Sequence, residues 1–272
     1  MQKDFKIGQI TIEMGKKPFL IAGPCVLDDY ETAFQIAVFL KDLSSRLDIP
    51  FIYKASYDKA NRSSINAFRG PGVKQGLEWL GQIKSTLKIP IISDVHCFEE
   101  IAPASEVLDI IQIPAFLCRQ TDFLVQVAST GLPVNIKKGQ FLAPWDMKNV
   151  IEKLTSTNNH QIIITERGAA FGYNNLVVDF RGLAIMRDMG YPVVFDATHS
   201  VQLPGGHGTC SGGQRQFAPV LARAAVAAGV DGIFLEVYPE PDKAKCDGPN
   251  SLRLDELETL LHQLIAIHTI LS

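Results

Sequence analysis

One unit of the fold can be read from residues 121–138, TDFLVQVASTGLPVNIKK. The first ten residues place apolar side chains three and four positions apart, which is the spacing of a helix with one buried face. Gly131 follows where a helix would end in a left-handed residue, and Pro133 then begins a short apolar run. The stretch therefore predicts a helix, a turn and a buried strand that ends on Lys137 and Lys138.

The same order of elements recurs on both sides of this unit. Continuous apolar runs indicate strands that are buried on both faces, as in a parallel sheet. Gly190 and Gly229 follow helical segments as Gly131 does. The eight predicted strands are Phe19–Cys25, Phe51–Ser56, Pro90–His96, Ile110–Phe116, Pro133–Lys138, Ile162–Gly168, Pro192–His199 and Gly232–Tyr238. The segments with helical spacing include Glu31–Leu47, Leu77–Leu87, Thr121–Thr130, Met147–Thr157, Phe180–Gly190 and Phe217–Gly229.

Eight strand–helix units in about 250 residues are typical of a (β/α)8 barrel, which is an α/β fold. An open doubly wound sheet is the alternative, but no glycine fingerprint of the dinucleotide-binding type follows the first strand. Residues Phe5–Met14 predict an additional hairpin, so we expect residues 1–15 to cap the bottom of the barrel. No linker or repeat interrupts residues 1–272, which predicts a single domain.

The composition narrows the class of protein. A net charge of −3 over 272 residues argues against a nucleic-acid-binding protein, in which basic residues would be in excess. No apolar run approaches the roughly 20 residues that a membrane-spanning helix needs, and no basic and apolar leader precedes the first strand. The 5 cysteines are scattered and form no CxxC pair, which is typical of reduced thiols in a cytoplasmic protein.

Polar residues close nearly every predicted strand. A barrel carries its chemistry at the carboxyl ends of its strands, and we call that end of the barrel the mouth. A single lysine at a strand end is most often solvated, but eight ends that converge on one mouth predict a functional site. These residues are Cys25, Lys54, Ser56, Lys59, Asp94, His96, Gln112, Asn135, Lys137, Lys138, Glu166, Arg167, Asp196, His199 and Glu236.

Positive charge is concentrated at the mouth although the whole chain is slightly acidic. Residues 54–64, KASYDKANRSS, contain two lysines, an arginine and three hydroxyl-bearing serines directly after a predicted buried strand. Lysine supplies a compact charge and arginine a two-pronged donor, and both are used to bind phosphate and carboxylate groups. With Lys137 and Arg167, this segment predicts a site for more than one anionic group.

A second group joins residues that are distant in sequence. Cys25, His199, Glu236 and Asp247 follow strands one, seven and eight, and in a closed barrel strand one lies beside strand eight. A thiolate, an imidazole and two carboxylates suit a divalent ion such as Zn²⁺, Fe²⁺ or Mn²⁺. Spacing alone leaves other interpretations open, since a buried Cys25 can act as a small hydrophobic residue and His199 as a structural hydrogen-bonding group. Five glycines within residues 200–215 predict a flexible lid.

Eight short motifs fall on the predicted strand ends. They are residues 21–25 (IAGPC), 54–64 (KASYDKANRSS), 94–96 (DVH), 112–117 (QIPAFL), 135–140 (NIKKGQ), 166–168 (ERG), 195–200 (FDATHS) and 245–249 (KCDGP). Over nearly the whole chain they resemble the 3-deoxy-D-manno-octulosonate 8-phosphate synthase family. The related heptulosonate 7-phosphate synthases share the barrel, but they typically carry Lys-Pro-Arg-Thr where this chain has Asn61-Arg62-Ser63.

The resemblance implies the condensation of phosphoenolpyruvate with D-arabinose 5-phosphate for lipopolysaccharide synthesis, with release of phosphate, by a homotetramer. It implies that phosphoenolpyruvate is bound by Lys54, Ser56, Lys59, Gln112, Lys137 and Arg167. It implies that the aldose phosphate is bound by Asn61, Arg62, Ser63, Asp94 and Gln202, with Arg62 and Ser63 supplied by a neighbouring subunit. The residues that it implies in catalysis are His199, Asp247, Lys137 and Asn61.

The family divides into members that need a metal and members that do not. Cysteine at the position of Cys25 is typical of the metal-dependent members, whereas the independent ones have asparagine, a poor ligand for such an ion. The resemblance therefore implies a divalent metal held by Cys25, His199, Glu236 and Asp247. One feature departs from that pattern, because Cys246 before Asp247 resembles the metal-independent members.

Two other functions remain open at this point. A heptulosonate synthase would use erythrose 4-phosphate as acceptor. A non-catalytic barrel could bind sugar phosphates as a regulator and would release no phosphate from the two substrates.

Overall fold

The central element is a closed parallel barrel. A computed structural model of the chain describes residues 4–205 and 212–272. The barrel strands are β1 (Phe19–Gly23), β2 (Phe51–Lys54), β3 (Ile91–Asp94), β4 (Ile110–Ile113), β5 (Val134–Lys137), β6 (Ile162–Glu166), β7 (Val193–Asp196) and β8 (Gly232–Tyr238). Each strand pairs in parallel with the next, and β8 pairs with β7 and with β1. The predicted barrel is confirmed, and the open doubly wound sheet is excluded.

Helices surround the barrel and connect its strands. They are α1 (Tyr30–Arg46), α2 (Val73–Leu87), α3 (Phe98–Val107), α4 (Thr121–Ala128), α5 (Met147–Thr155), α6 (Arg181–Arg187), α7 (Ala218–Ala227) and α8 (Leu254–Leu271). Gly131, Gly190 and Gly229 have φ of 77°, 83° and 87°, which confirms their predicted left-handed conformation after α4, α6 and α7. Any other residue would be strained at those positions.

Most strands stop before the end of the apolar run that predicted them. β1 ends at Gly23 rather than Cys25, β3 at Asp94 rather than His96, and β7 at Asp196 rather than His199. The apolar run continues because the next residues are still covered by neighbouring loops. The backbone, however, has already left the sheet to form the mouth.

Side chains alternate between the two faces of each strand, and this alternation produces two apolar layers. Outward residues such as Tyr53 and Ile111 pack beneath the helices. Inward residues such as Ile52 and Ile163 fill the lower half of the barrel. There they meet the N-terminal hairpin (Phe5–Ile7 and Ile10–Ile12), whose Phe5, Ile7 and Ile12 are buried in the same cluster. The predicted hairpin is present, and it closes the end of the barrel opposite the mouth.

The inward face changes from apolar to polar within one pleat of the sheet. Two residues after Ile52 comes Lys54 and two after Ile92 comes Asp94, and β4, β6, β7 and β8 follow the same rule. β1 has Gly23 at this level, and on β5 the residue below Lys137 is the polar Asn135. Because side chains two positions apart share a face, these polar groups lie directly above the apolar layer. All are buried, so they must pair with one another or with a ligand to offset the cost of losing water. The remaining members of this polar layer are Gln112, Lys137, Thr165, Asp196 and Glu236.

Two further observations concern the loop after β7 and the character of the helices. Residues 206–211 of the predicted lid lie outside the described residues, and on either side Gln202–Leu203 pairs antiparallel with Gly212–Gly213. Among the helices that the structure describes, none combines the length and the apolar character needed to cross a membrane.

Candidate functional site

A cavity of about 660 Å³ opens at the mouth. It is framed by the segment after β2, by the ends of β3 to β7 and by the loop after β8. The predicted site residues that line it are Lys54, Lys59, Asn61, Arg62, Ser63, Asp94, Gln112, Lys137, Arg167, His199, Gln202 and Asp247. Three others, Ser56, Cys25 and Glu236, lie buried behind the cavity wall. Arg62 and Ser63 line the cavity of their own chain.

Two buried lysines converge on Glu236. The Lys54 ammonium donates to Glu236 Oε1 at 3.1 Å, to Ser56 Oγ at 3.0 Å and to the Cys25 carbonyl at 3.1 Å. Lys59 Nζ lies 3.8 Å from the same carboxylate oxygen. Burial lowers the pKa of Lys59, but Cys25, Glu236 and Asp94 outweigh it and hold that pKa well above its usual value. The Lys59 side chain is therefore a cation at neutral pH.

Two arginines present buried donors with which no described residue pairs. Arg167 Nη2 donates to Gln202 Oε1 at 3.1 Å, and Arg62 Nη1 lies 3.4 Å from Asp247 Oδ1. Arg167 Nη1 and Arg62 Nε have no hydrogen-bond partner among the residues that the structure describes. An unpaired buried donor costs about 1–3 kcal/mol, more when it is charged. An anionic ligand in the cavity would remove that cost, as phosphate and carboxylate groups do.

Lys137, Asp196 and His199 form a chain of proton-carrying groups, of which the first two are buried. Lys137 Nζ lies 2.5 Å from Asp196 Oδ2 and 3.3 Å from the centre of the Phe234 ring. Burial lowers the pKa of Lys137 to about 8 even though the Asp196 carboxylate opposes that shift. His199 Nδ1 contacts the same carboxylate oxygen at 2.8 Å. Because that bond occupies Nδ1, the other ring nitrogen is directed toward Glu236.

The four predicted metal ligands lie beside one another in two groups that share Asp247. His199 Nε2 is 3.7 Å from Glu236 Oε1 and 3.7 Å from Asp247 Oδ2. Cys25 Sγ is 3.3 Å from Asp247 Oδ2 but only 2.6 Å from Cys246 Sγ, which was not among the predicted ligands. Glu236 Oε2 is buried and has no hydrogen-bond partner within residues 4–205 and 212–272.

The charge states of these ligands follow from their surroundings. Burial raises the pKa of Cys25 well above its usual value, and the neighbouring Cys246 and Asp247 raise it further. Burial also raises the pKa of Asp247, but His199, Lys59 and Arg62 outweigh it and hold that pKa well below its usual value. A thiol in this position ionises when a cation binds to it, so metal binding would release a proton.

Asp94 is held through both of its carboxylate oxygens. Ser56 Oγ donates to Oδ1 at 2.5 Å, and His96 Nε2 contacts Oδ2 at 2.9 Å. The other ring nitrogen of His96 contacts Glu100 Oε2 at 3.1 Å, and the Tyr57 hydroxyl donates to the same oxygen at 2.8 Å. Burial lowers the pKa of His96, but Asp94 and Glu100 outweigh burial and raise that pKa to about 9. His96 is therefore an imidazolium at neutral pH.

Gln112 is oriented by hydrogen bonds from within the barrel. Thr165 Oγ1 donates to Asn135 Oδ1 at 2.6 Å, and Asn135 Nδ2 donates to Gln112 Oε1 at 3.0 Å. With its carbonyl oxygen engaged from below, Gln112 keeps its amide donors for the cavity.

Comparison with known proteins agrees with this geometry. A sequence profile of the DAHP synthetase I family matches residues 2–272. The chain belongs to this family.

Curated relatives of the chain carry the name 2-dehydro-3-deoxyphosphooctonate aldolase. The protein from Desulfosudis oleivorans is 64% identical over 262 residues, which cover 96% of this chain and 94% of that one. The protein from Desulfatibacillum aliphaticivorans is 60% identical over 268 residues, or 98% of each chain. The protein from Geobacter metallireducens is 59% identical over 272 residues and the full length of both chains.

For some site residues of this member of the DAHP synthetase I family, no role was predicted from the sequence. Asp196 and His96 were recognised as strand ends, but no role was predicted for them. Glu100 contacts His96 from the first turn of α3, but His96 lies before the helix, so the spacing of the two residues did not indicate the contact. Cys246 was noted only as a departure from the metal-dependent pattern. Its contact with Cys25 spans 221 positions, so no local pattern could have revealed it.

Proposed function

We propose that the chain condenses phosphoenolpyruvate with D-arabinose 5-phosphate and water, giving 3-deoxy-D-manno-octulosonate 8-phosphate and inorganic phosphate for lipopolysaccharide biosynthesis. The observation that carries the proposal is a pair of buried guanidinium donors, Arg62 Nε and Arg167 Nη1, that have no partner among the described residues. Both residues line one cavity, so the cavity suits a reaction between two phosphorylated substrates. The names of the relatives support the same reaction.

Phosphoenolpyruvate is assigned to the part of the cavity formed by β2 and β4 to β6. Lys54, Lys59, Lys137 and Arg167 supply the positive charge that its phosphate and carboxylate need, and the Gln112 amide supplies neutral donors. Charge that develops on these groups during condensation would be stabilised by cations already in place. Ser56 lies behind them, where it contacts Lys54 and Asp94.

The aldose phosphate is assigned to the segment after β2. Arg62, with Asn61 and Ser63 beside it, would bind the phosphate. Asp94 and Gln202 would accept hydrogen bonds from the sugar hydroxyls. Asp94 suits this role because both of its oxygens are already held by neighbours. Its side chain therefore loses little conformational entropy when the sugar binds.

Cys25, His199, Glu236 and Asp247 would hold a divalent metal ion such as Zn²⁺, Fe²⁺ or Mn²⁺. Glu236 Oε2 fits this role, since it offers an electron pair that no described residue uses. His199 Nε2 faces Glu236 and Asp247 at 3.7 Å from each, so the three side chains could bind one ion after His199 loses its proton. When bound, such an ion supplies a positive charge that can orient the aldehyde or acidify a water molecule. Asp196 would keep the His199 ring in its ligating orientation.

Proton transfer is assigned to Lys137 and the groups around it. A pKa of about 8 lets Lys137 hold or release a proton near neutral pH, which suits a general acid or base. Asp196 would stabilise the protonated ammonium between turnovers. His199 and Asp247 complete this set on the metal side, and Asn61 would orient the reacting aldose.

We further propose that the protein is a cytoplasmic homotetramer. Large apolar side chains are exposed on the loops after β2, β4, β5 and β6, and such a patch favours contact with a second copy. They are Ile65, Phe116, Trp145, Phe171 and Tyr173, which are between 56% and 97% exposed. Sedimentation equilibrium would measure the molecular mass of the assembly directly. A monomer at assay concentration would contradict this assignment.

The reaction is tested by phosphate release from phosphoenolpyruvate with each of two aldoses. We expect release with arabinose 5-phosphate and little with erythrose 4-phosphate. The opposite preference would make the chain a heptulosonate synthase. Tight binding of both substrates without release would make it a sugar phosphate-binding regulator.

A matched pair of variants connects the reaction to the cavity. Arg167→Gln removes the unpartnered donor and should raise the KM for phosphoenolpyruvate at least tenfold, because a charged hydrogen bond contributes about 1.5–3 kcal/mol. Arg181→Gln removes an exposed arginine that is paired with Asp179 and does not line the cavity, so it should leave both kinetic constants unchanged. Equal effects of the two substitutions would contradict the assignment of Arg167.

A further inference from the structure

Cys25 and Cys246 bring two sulfur atoms to one point behind the cavity wall. Their Sγ atoms are 2.6 Å apart, about 0.5 Å more than the length of an S–S bond. Cys25 follows β1 and Cys246 lies in the loop after β8, so the closed barrel holds the pair together. The chain entropy of joining them has therefore already been lost in folding, and bond formation needs only a small movement of the side chains.

The surroundings shield this pair without isolating it from the cavity. The two cysteines are 4% and 3% exposed, and they form a small cluster with Val26 against which Phe68 packs. Phe68 is only partly buried and lines the cavity on its other side. A small oxidant in the cavity is thus separated from the sulfurs by one ring. Both cysteines are free thiols in this structure.

A carboxylate that is paired with an arginine lies beside the Cys25 sulfur. Asp247 Oδ2 contacts Cys25 Sγ at 3.3 Å, and Asp247 Oδ1 lies 3.4 Å from Arg62 Nη1. The pair therefore sits at the edge of the mouth, next to two residues that line the cavity.

We propose that Cys25 and Cys246 are a thiol-oxidation site, at which a hydroperoxide converts the two thiols to a disulfide. The bond takes Cys25 away from the metal ligands, and this consequence rests on the metal centre proposed above. The oxidation itself does not depend on the metal or on turnover.

The chemistry balances with hydrogen peroxide as the oxidant. One sulfur, as a thiolate, attacks a peroxide oxygen, the O–O bond breaks, and the released oxygen leaves as water with the thiol's proton. The sulfenic acid that remains is attacked by the second sulfur, the S–S bond forms, the S–O bond breaks, and a second water leaves. Two electrons pass from the thiols to the peroxide. A dithiol reductant reverses the reaction by exchange.

Cys25 cannot be part of the disulfide and bind the metal ion at the same time. A sulfur in a disulfide has no thiolate charge to give to a metal, so the oxidised protein has lost one of its four proposed ligands. Conversely, a Cys25 thiolate that binds a metal would share its charge with the ion and would be a weaker nucleophile. Bound Zn²⁺, which has no redox chemistry of its own, should therefore slow formation of the disulfide.

The test uses the full-length protein, reduced and metal-free or loaded with Zn²⁺, and treated with hydrogen peroxide. Remaining thiols are alkylated, the protein is digested without reduction, and cross-linked peptides are identified by mass spectrometry. We expect the peptide of Cys25 joined to that of Cys246, formed faster without Zn²⁺, with a loss of two thiols that dithiothreitol restores. The oxidised protein should take up no Zn²⁺ until it is reduced.

Two variants make the result specific. Cys246→Ser should abolish the cross-link, whereas Cys97→Ser, which alters an exposed thiol, should leave it as in the unaltered chain. Recovery of Cys25 as an alkylated thiol, as a sulfinic acid or joined to a different cysteine would overturn the proposal. A protein that forms the cross-link but binds no metal in its reduced state would instead overturn the metal centre, so the two failures are distinguishable.

Discussion

The charge of His96 provides a quantitative test of how Asp94 is held. Two carboxylates contact its ring, Asp94 at 2.9 Å and Glu100 at 3.1 Å, and they raise its pKa from 6.5 to about 9 despite burial. That difference corresponds to about 3 kcal/mol of stabilisation of the imidazolium in the folded protein. Because the folded pKa lies above the unfolded one, this stabilisation is fully present below pH 6.5 and is lost as the pH rises through about 9.

Glu100→Gln removes one of the two charges and keeps the size of the side chain. The amide oxygen can still accept from the Tyr57 hydroxyl and the His96 backbone, so the fold should be retained. We expect the pKa of His96 to fall by about 1 unit, and the free energy of unfolding at about pH 6 to fall by about 1–2 kcal/mol. At about pH 10, where His96 is neutral in both proteins, the difference should nearly vanish.

The pKa is measured by NMR in protein labelled at the ring carbons of its 6 histidines, with His96→Gln used to assign the resonance. Denaturant unfolding at both pH values supplies the stability difference. A His96 resonance that titrates near 6.5 in the unaltered chain, or an unchanged pKa in Glu100→Gln, would refute the two-carboxylate arrangement. A stability loss of equal size at both pH values would assign Glu100 to packing rather than to charge.

Three other changes have defined outcomes. Cys25→Asn should abolish tight metal binding, measured by metal content after dialysis, while retaining part of the phosphate-releasing activity; unchanged metal content would contradict the ligand role. Ile163→Ala should lower the free energy of unfolding by about 2–5 kcal/mol because this fully buried residue fills the inner layer, whereas the exposed Ile270→Ala should be neutral by the same denaturant assay. Gly23→Ala would place a Cβ atom 1.9 Å from the Lys54 carbonyl oxygen, so it should raise the KM for phosphoenolpyruvate and lower the melting temperature; unaltered values would contradict the tight contact between β1 and β2.

The barrel could be predicted from sequence because each unit repeats its own local evidence. Gly131 and Pro133 mark the end of one helix and the start of the next strand by conformational preferences that act within a few residues. The change from apolar Ile92 to polar Asp94 on one strand is also local, since alternate residues share a face. These features needed no knowledge of distant contacts.

The finer arrangement of the site depends on contacts between distant residues. Residue types alone indicated that Cys25 and Asp247 could share a metal, but not that Cys246 lies closer to Cys25 than either carboxylate does. The same holds for Glu100. From sequence, an acidic residue in the first turn of α3 is expected to stabilise the start of that helix, and its contact with His96 forms only when the loop before α3 is folded. The predicted strands extend beyond the observed ones for a related reason. Side chains remain buried beyond the last residue that pairs in the sheet.

The central claim is carbon–carbon bond formation at this mouth, and an isotope experiment tests it most directly. Phosphoenolpyruvate labelled with ¹³C at its methylene carbon is incubated with D-arabinose 5-phosphate and the protein, and the products are followed by NMR. We predict that the label moves into the methylene group of an eight-carbon 3-deoxy sugar acid phosphate, in step with the release of inorganic phosphate. A label that remains in phosphoenolpyruvate, or that appears in pyruvate, would contradict the account.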